Sequence, residues 1–277
     1  MLLEEKVLLR KKKKELHVRQ SCLLLFLFTF TICSFGQSSA HRINPLSVGL
    51  VAHYPLNGNA DDVSEMKFNA DVFSAAPTYD RFGHPNSALS FNGKDNYLQC
   101  GDILDDVFCA TVAKFSVSGW AKTRTCGTYR EGGGEIVGKA AGGTYGPYQW
   151  SISHIEGLVI ASVFSDAASN NYISLTSPMS TNRWFHFVLV FDGSRPQLER
   201  LKLYVDGNPF SVNIGRQVGD FGTSTVNTPQ CLTIGAGHHA NNPLSPANCY
   251  NGDLDDIRIY NRALSSSDIQ ALYYARK

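Results

Sequence analysis

From Val48 to the end of the chain, apolar residues come in short runs separated by Gly, Asn, Asp and Pro. The pattern predicts strands at Val48–Tyr54, Ala88–Phe91, Tyr97–Cys100, Phe115–Ala121, Glu135–Lys139, Tyr148–Ser153 and Leu158–Phe164. It predicts further strands at Tyr172–Thr176, Trp184–Phe191, Leu201–Val205, Cys231–Ile234 and Asp256–Tyr260. Asn92-Gly93, Asp192-Gly193, Asp206-Gly207 and Asn251-Gly252 stand at turns. Such pairs tolerate the positive φ that tight hairpins need. Many short strands with this punctuation indicate an all-β, two-sheet antiparallel sandwich. No linker or charge block divides residues 48–277, which read as one domain after a short polar lead-in at 38–47.

Two runs say more. Trp184–Phe191 is apolar on both faces, as expected of a central strand covered on both sides. In Phe115–Lys122 the faces differ: Phe115, Val117, Gly119 and Ala121 read as core-facing. Ser116, Ser118, Trp120 and Lys122 then share the outer face. One helix is predicted, at the end. Ser265 and Asp268 have the spacing of a reciprocal cap, and Ile269, Leu272 and Tyr273 fall on one side.

The first 37 residues break the pattern. A basic cluster, Arg10 to Lys14 with Arg19, precedes the apolar run Cys22–Ile32. Ser34-Phe35-Gly36 then puts small residues three and one places before Gln37. This is the order of a signal peptide, so residues 1–37 are expected to be removed on export. The apolar run is shorter than the roughly 20 residues that span a bilayer, and no second candidate follows, so the mature form is expected to have no membrane span. Retention as an anchor, or lipid attachment at Cys33, are the alternatives; the bulky Ile32 disfavours the second.

Residues 1–37 hold seven Lys and Arg against three Glu, whereas the other 240 residues hold 18 against 21. A mildly acidic domain has no broad field for phosphate backbones, so nucleic acid is excluded as a partner. Five cysteines follow the signal: Cys100, Cys109, Cys126, Cys231 and Cys249. Export permits disulfides. Cys231–Cys249, stapling the last hairpin, is the first expectation, then Cys100–Cys109, with Cys126 left over.

Four segments carry a family resemblance: Gly49–Asp61, Phe115–Trp120, Arg183–Gly193 continuing to Leu203–Gly207, and Asn251–Leu264. The last, Asn-Gly-Asp-Leu-Asp-Asp-Ile-Arg-Ile-Tyr-Asn-Arg-Ala-Leu followed by the capped helix, is the most specific. Together they resemble the laminin-G-like jelly-roll domain of the concanavalin A-like lectin/glucanase superfamily, over roughly residues 48–275. The resemblance implies a jelly roll of two large sheets, one of them curved, with a concave face and loop rims. It does not imply one activity, so function must come from the site.

Calcium is the leading candidate chemistry. The ion wants six to eight hard oxygen ligands. Asn59, Asp61 and Asp62 form an acidic turn after the first strand, and Asp253, Asp255 and Asp256 another in the last. First and last strands of a jelly roll commonly lie side by side. Asn59, Asp61, Asp62 and Asp255 are therefore the expected ligands of a structural calcium ion. The competing reading is that these side chains hold their own backbone turns. Asp166, Asn170 and Asn171 form a second rim candidate.

For a glycan, Trp120 is the expected stacking platform, with Lys122 beside it, and Gln149, Ser151 and Ser153 form a second polar face. The alternative for Trp120 is a packing role. Trp150 reads as core, and His238 and His239 as a solvated loop. Retaining glycosidases of this fold carry Glu-x-Asp-x-x-Glu, which is absent. Glu131 and Glu135 flank Gly132–Gly134 and read as a solvated turn. The Gln149 strand lacks the His two residues on that the lyase variant would need, and no catalytic residue is assigned. The resulting expectation is a secreted or cell-surface recognition module, carbohydrate-binding and non-catalytic. A calcium-stabilised protein–protein adhesion module is the first alternative. A diverged glycoside hydrolase or polysaccharide lyase is the second.

Overall fold

A computed structural model of the chain describes residues 45–125, 127, 133–142, 148–165, 172–210, 213–218, 221–239 and 242–276. The expected signal peptide 1–37, most of the lead-in 38–47, Cys126, Glu131, Asp166, Asn170 and Asn171 lie outside the described residues.

In chain order the strands are β1 (Leu50–Tyr54), β2 (Asp71–Phe73), β3 (Ala76–Thr78), β4 (Ala88–Asn92), β5 (Tyr97–Gly101), β6 (Lys114–Thr123), β7 (Gly134–Gly142), β8 (Tyr148–Ile155) and β9 (Leu158–Phe164). They continue as β10 (Tyr172–Pro178), β11 (Phe185–Asp192), β12 (Leu201–Val205), β13 (Asn208–Pro209), β14 (Asn213–Val218), β15 (Leu232–Ile234), β16 (Gly237–His239), β17 (Asn242–Ala247) and β18 (Asn251–Tyr260). The α-helices are α1 (Asp105–Phe108) and α2 (Ser266–Tyr274). Each predicted run holds a strand. The last is longer than expected, and β2, β3, β13, β14 and the β16–β17 hairpin were not predicted. β2 is wholly exposed and β3 contains Pro77, so neither shows an apolar alternation.

The smaller sheet runs β13-β12-β11-β6-β18-β4-β3, with β1 beside the second half of β18. The larger runs β14-β10-β9-β8-β7-β15-β5-β2, and β16 joins it by parallel pairing with β7. The inner faces meet in one core. Phe115, Val117, Phe187, Leu189 and Ile259 from the smaller sheet face Trp150, Ile152, Val163 and Leu175 from the larger. Trp150 packs 5.2 Å from Phe108 and 6.2 Å from Phe115, between ring centroids. Gly119 sits where no side chain fits: a Cβ there would collide with Ile257 Cδ1 and lie 2.8 Å from Phe187 Cζ.

Strand β18 bends to serve two neighbours. Residues 251–254 pair with β4 and residues 257–260 with β1. The register against β6 shifts between Asp255 and Arg258, and Asp256 takes a left-handed φ of 55°. An Asp tolerates that backbone when its carboxylate is well anchored. The bulge turns Asp255 and Asp256 toward the outer face.

That outer face is not bare. Leu264, Ile269 and Leu272 of the α2 region cover Val188, Val190, Tyr204 and Tyr260. This is why Trp184–Phe191 reads apolar on both sides. Ser265 Oγ accepts from Asp268 N at 3.2 Å, while Asp268 Oδ2 accepts from Ser265 N at 2.9 Å, completing the expected cap. No helix among the described residues is long and apolar enough to cross a membrane.

The bridges Cys231–Cys249 and Cys100–Cys109 are not formed; all four described cysteines are free thiols. Their environments differ. Cys249 donates to Lys94 O at 3.0 Å, whereas Cys231 accepts from Gln99 Nε2 at 3.5 Å. Cys109 lies 3.7 Å from Thr225 Oγ1, and Cys100 packs in the core.

Candidate functional site

Arg81 organises the outer face of the smaller sheet. Its loop has no pattern that would single it out, yet its side chain is only 4% exposed. Nη1 donates to Asp255 Oδ2 at 2.7 Å, and Nη2 donates to Ala275 O at 3.0 Å, tying down the chain after α2. The guanidinium lies 4.6 Å from the ring centres of both Trp120 and Phe82. Arg81 Nε is buried without a hydrogen-bond partner among the described residues. A buried cation held by a carboxylate and two aromatic faces is a rigid fixture.

Asp256 completes the cluster. Its Oδ1 meets His53 Nε2 at 2.7 Å and accepts from Arg258 Nε at 3.1 Å. Burial alone would raise its carboxyl, but the His53 bond and the Arg258 and Arg81 charges hold it well below the usual range. His186, on the same face, is pushed down to about 3 by burial, and so is neutral.

Above this cluster lies a cleft of about 370 Å³ lined by Arg81, Phe82, Trp120, Trp184, Tyr273 and Tyr274, and closed by Ala275 and Arg276. Trp120 forms its floor but is only 9% exposed, with Arg81 and Tyr273 against its ring, so it packs rather than offering the open stacking platform expected of it. Tyr273 stacks on Trp120 at 5.6 Å with 15° between planes. Phe82 is 46% and Tyr274 73% exposed, so their rings form the accessible walls. The sequence pointed to Trp120 but not to the residues that surround it. The Tyr273-Tyr274 pair at the end of a capped helix was the one available signal. Lys122 does not line the cleft; it stands opposite Asp253 in the β6–β18 register.

The second expected face lies on the larger sheet. Ser151 pairs with Ser162, and Ser162 with Ser174, so three serines cross three strands in one row. They alternate with core residues and point to the outer face. Tyr148, Phe164 and Tyr172 form a ring ladder on the same sheet, with centroids 5.0 and 5.1 Å apart. Gln149 departs from expectation. A register shift between Lys139 and Ala140 takes it out of the alternation, and it is buried with Nε2 3.2 Å from Thr225 Oγ1. It therefore does not share a ligand face with Ser151.

Two further readings are corrected. Glu135 is no solvated turn residue: it lies in β7 and is 1% exposed. Burial pushes its carboxyl up to about 7, against one bond from Asn248 Nδ2 at 3.2 Å. A Cβ at Gly237 would lie 2.9 Å from Glu135 Oε2, so that glycine makes room for the acid. His238 is likewise no solvated loop residue: it lies in β16, fully buried and edge-on to Tyr97 at 5.9 Å, while the His239 side chain lies outside the described residues.

The calcium set is not assembled in this structure. Asp62 Oδ1 accepts from the His53 and Ser64 amides, and Oδ2 from the Phe68 amide. Asp255 faces Arg81. Asn59 Oδ1 accepts from the Asp61 amide at 3.2 Å, a local Asx turn. Among the described residues, no three His, Cys, Asp or Glu side chains converge on a point that an ion could occupy.

A family model of the concanavalin A-like lectin/glucanases superfamily matches residues 92–270. No curated protein sequence matches the chain. Among solved structures, the binding domain of Paraclostridial Mosquitocidal Protein 1 aligns with a TM-score of 0.59 at 16% identity, over 82% of this chain and 52% of that one. The binding domain of Botulinum Neurotoxin DC in complex with SialylT aligns at 0.57 and 13%, over 82% and 52%. Domain 4 of AbnA, a GH43 extracellular arabinanase from Geobacillus stearothermophilus, in complex with arabinotriose, aligns at 0.55 and 19%, over 81% and 98%. This chain spans about half the length of the two toxin domains. At such identities the likeness is one of fold.

Proposed function

Because the chain belongs to the concanavalin A-like lectin/glucanases superfamily, we propose that it is a secreted or cell-surface carbohydrate-binding module without catalytic activity. The observation that carries this reading is the aromatic cleft above Arg81. Sugar rings present C–H faces that stack on exposed aromatic side chains, while their hydroxyls need fixed donors. Phe82, Trp184 and Tyr274 offer the ring faces, and Arg276 offers a guanidinium. The floor needs no ligand to order it, because Tyr273, Trp120 and Arg81 already stack. Two of the similar domains hold a saccharide, SialylT or arabinotriose, which supports the ligand class.

An open cleft removes only part of each sugar from water, so dissociation constants in the micromolar to millimolar range are expected, roughly −8 to −4 kcal/mol. A glycan array on the full chain, followed by calorimetry, tests this. Phe82→Ala and Tyr274→Ala should each weaken binding at least about fivefold, in keeping with the usual worth of an aromatic contact. The Tyr274→Ala midpoint should match wild type, since that ring is exposed, whereas Phe82→Ala should lower it slightly, because the Phe82 ring also covers the Arg81 guanidinium. Binding untouched by either change would place the sugar elsewhere. Release of reducing ends or unsaturated products above a heat-killed control would overturn the non-catalytic reading. The protein-adhesion reading has one observation in its favour: Tyr79, Phe82 and Tyr274 are all large, apolar and exposed. A purified protein partner displaced by neither saccharide nor Tyr274→Ala would favour a different surface.

A further inference from the structure

We propose that the cavity at the N-terminal end of α2 binds an oxyanion, a sulfate, phosphate or carboxylate group. No residue of the aromatic cleft lines it. It encloses about 430 Å³ between the start of α2 and the outer face of β11 and β12. Lys114, Arg195, Arg200, Lys202 and Arg262 line it, against two carboxylates, Asp192 and Glu199. This excess of positive charge sits in a chain whose residues after position 37 are net acidic.

The pairings do not cancel that charge. Asp192 is shared by Lys114 at 3.2 Å and Arg195 at 3.6 Å. Arg262 pairs with Asp268 at 2.7 Å. Arg200 is held by carbonyls: Nε donates to Arg195 O at 3.0 Å, and Nη1 to Gly222 O at 3.1 Å and to Phe221 O. Carbonyls fix a guanidinium in place without neutralising it. Lys202 pairs with no carboxylate among the described residues. The register sets these positions, with Lys202 opposite Val190 and Lys114 opposite Asp192.

Like charges gathered around one space repel, and a bound anion relieves that repulsion. Guanidinium forks suit the paired oxygens of such groups. The Ser265–Asp268 cap already takes up the Asp268 amide, and the site rests on the side-chain cations. Val190, Tyr204 and Leu264 supply an apolar floor, and the volume falls in the range of small-molecule sites. The anion therefore has room to arrive on a body the size of a sugar ring.

Calorimetry on the full chain at fixed low ionic strength tests the proposal. The probes are inorganic sulfate, inorganic phosphate, and glucose 6-sulfate against glucose. Saturable binding is expected, and Lys202→Gln should weaken it about tenfold, the usual worth of a charge-assisted contact. Lys94→Gln, which removes an exposed charge outside the cavity, should change it less than about twofold, as expected of a screened distant charge. Tighter binding of glucose 6-sulfate than of sulfate identifies a glycan-borne anion; equal binding identifies the free ion. Arg195→Gln serves as a second variant should Lys202→Gln alter the melting midpoint. Tyr274→Ala should leave anion binding intact, so failure here and failure of the cleft reading are separable. No saturable binding of any anion, or equal losses in Lys202→Gln and Lys94→Gln, overturns the proposal.

Discussion

Glu135 shows what a single residue contributes. Unfolded, its carboxyl titrates near 4.5; buried in the fold it titrates near 7. Between those values the native state holds a proton that the unfolded chain has lost. Stability therefore falls as pH rises through that window and stays lower above it, by at most about 3 kcal/mol. His186 acts in the opposite sense, because its lowered value makes the native state bind fewer protons. The difference between wild type and Glu135→Gln isolates the acid. Gln keeps the shape and cannot ionise, so the variant should gain stability relative to wild type between pH 5 and pH 8. Urea melts at both pH values measure this, and an unchanged difference would place the carboxyl in contact with water. The burial of Glu135 was not legible, because three adjacent glycines look like a turn and what covers the acid, Gly237 in β16, is about a hundred residues away in sequence. The outward direction of Trp120 was legible from alternation alone. Its partners Arg81 and Tyr273 were not, because they arrive from a loop and a helix with no local link to β6.

Helix α2 was the most legible element, since its cap and apolar side are both local. Docking, rather than propensity, holds a helix this short in place. It lies against Val188, Val190, Tyr204 and Tyr260, and its two ends border the oxyanion cavity and the aromatic cleft. Ser265→Ala removes the hydroxyl that accepts from Asp268 N and donates to Asp268 Oδ2. Loss of such a cap costs about 1 kcal/mol. The unfolding free energy should fall by that amount, seen as a lower urea midpoint with an unchanged slope, because the docked side is untouched. A reduced slope, or a loss above about 3 kcal/mol, would mean that the helix leaves the sheet. Strand β18 was only half legible. Its apolar second half reads as a strand, but Asn251–Asp255 carries two carboxylates and an Asn-Gly pair, the composition of a turn. The bulge at Asp256 reconciles the two: ion pairs with His53, Arg81 and Arg258 make an acidic run tolerable inside a sheet.

At the scale of the whole molecule, sandwich class and the positions of the longer strands were legible because alternation is local, whereas sheet order was not, because β18 pairs with β1, β4 and β6 across the length of the chain. The same distinction governs the cysteines. Spacing suggested Cys231–Cys249 as a staple for the last hairpin, but strand pairing gives those thiols different neighbours. The sandwich is held by a continuous core drawn from both sheets, large enough that no crosslink is needed to close it. Burial also pushes the Cys100 thiol up to about 12 and the Cys249 thiol up to about 11, which leaves little thiolate for exchange at neutral pH. Dithiothreitol should therefore leave the melting midpoint unchanged. A native disulfide closing an 18-residue loop would contribute about 3 kcal/mol. Its reduction would lower the midpoint of a domain this size by roughly 6–12 °C. Paired melts with and without the reductant, alongside a thiol count in denaturant, separate the two cases. Seven reactive thiols in the full chain with equal midpoints agree with the free cysteines, whereas a count lower by two together with a reductant-sensitive midpoint would mean that the strands around Cys231 and Cys249 pack differently.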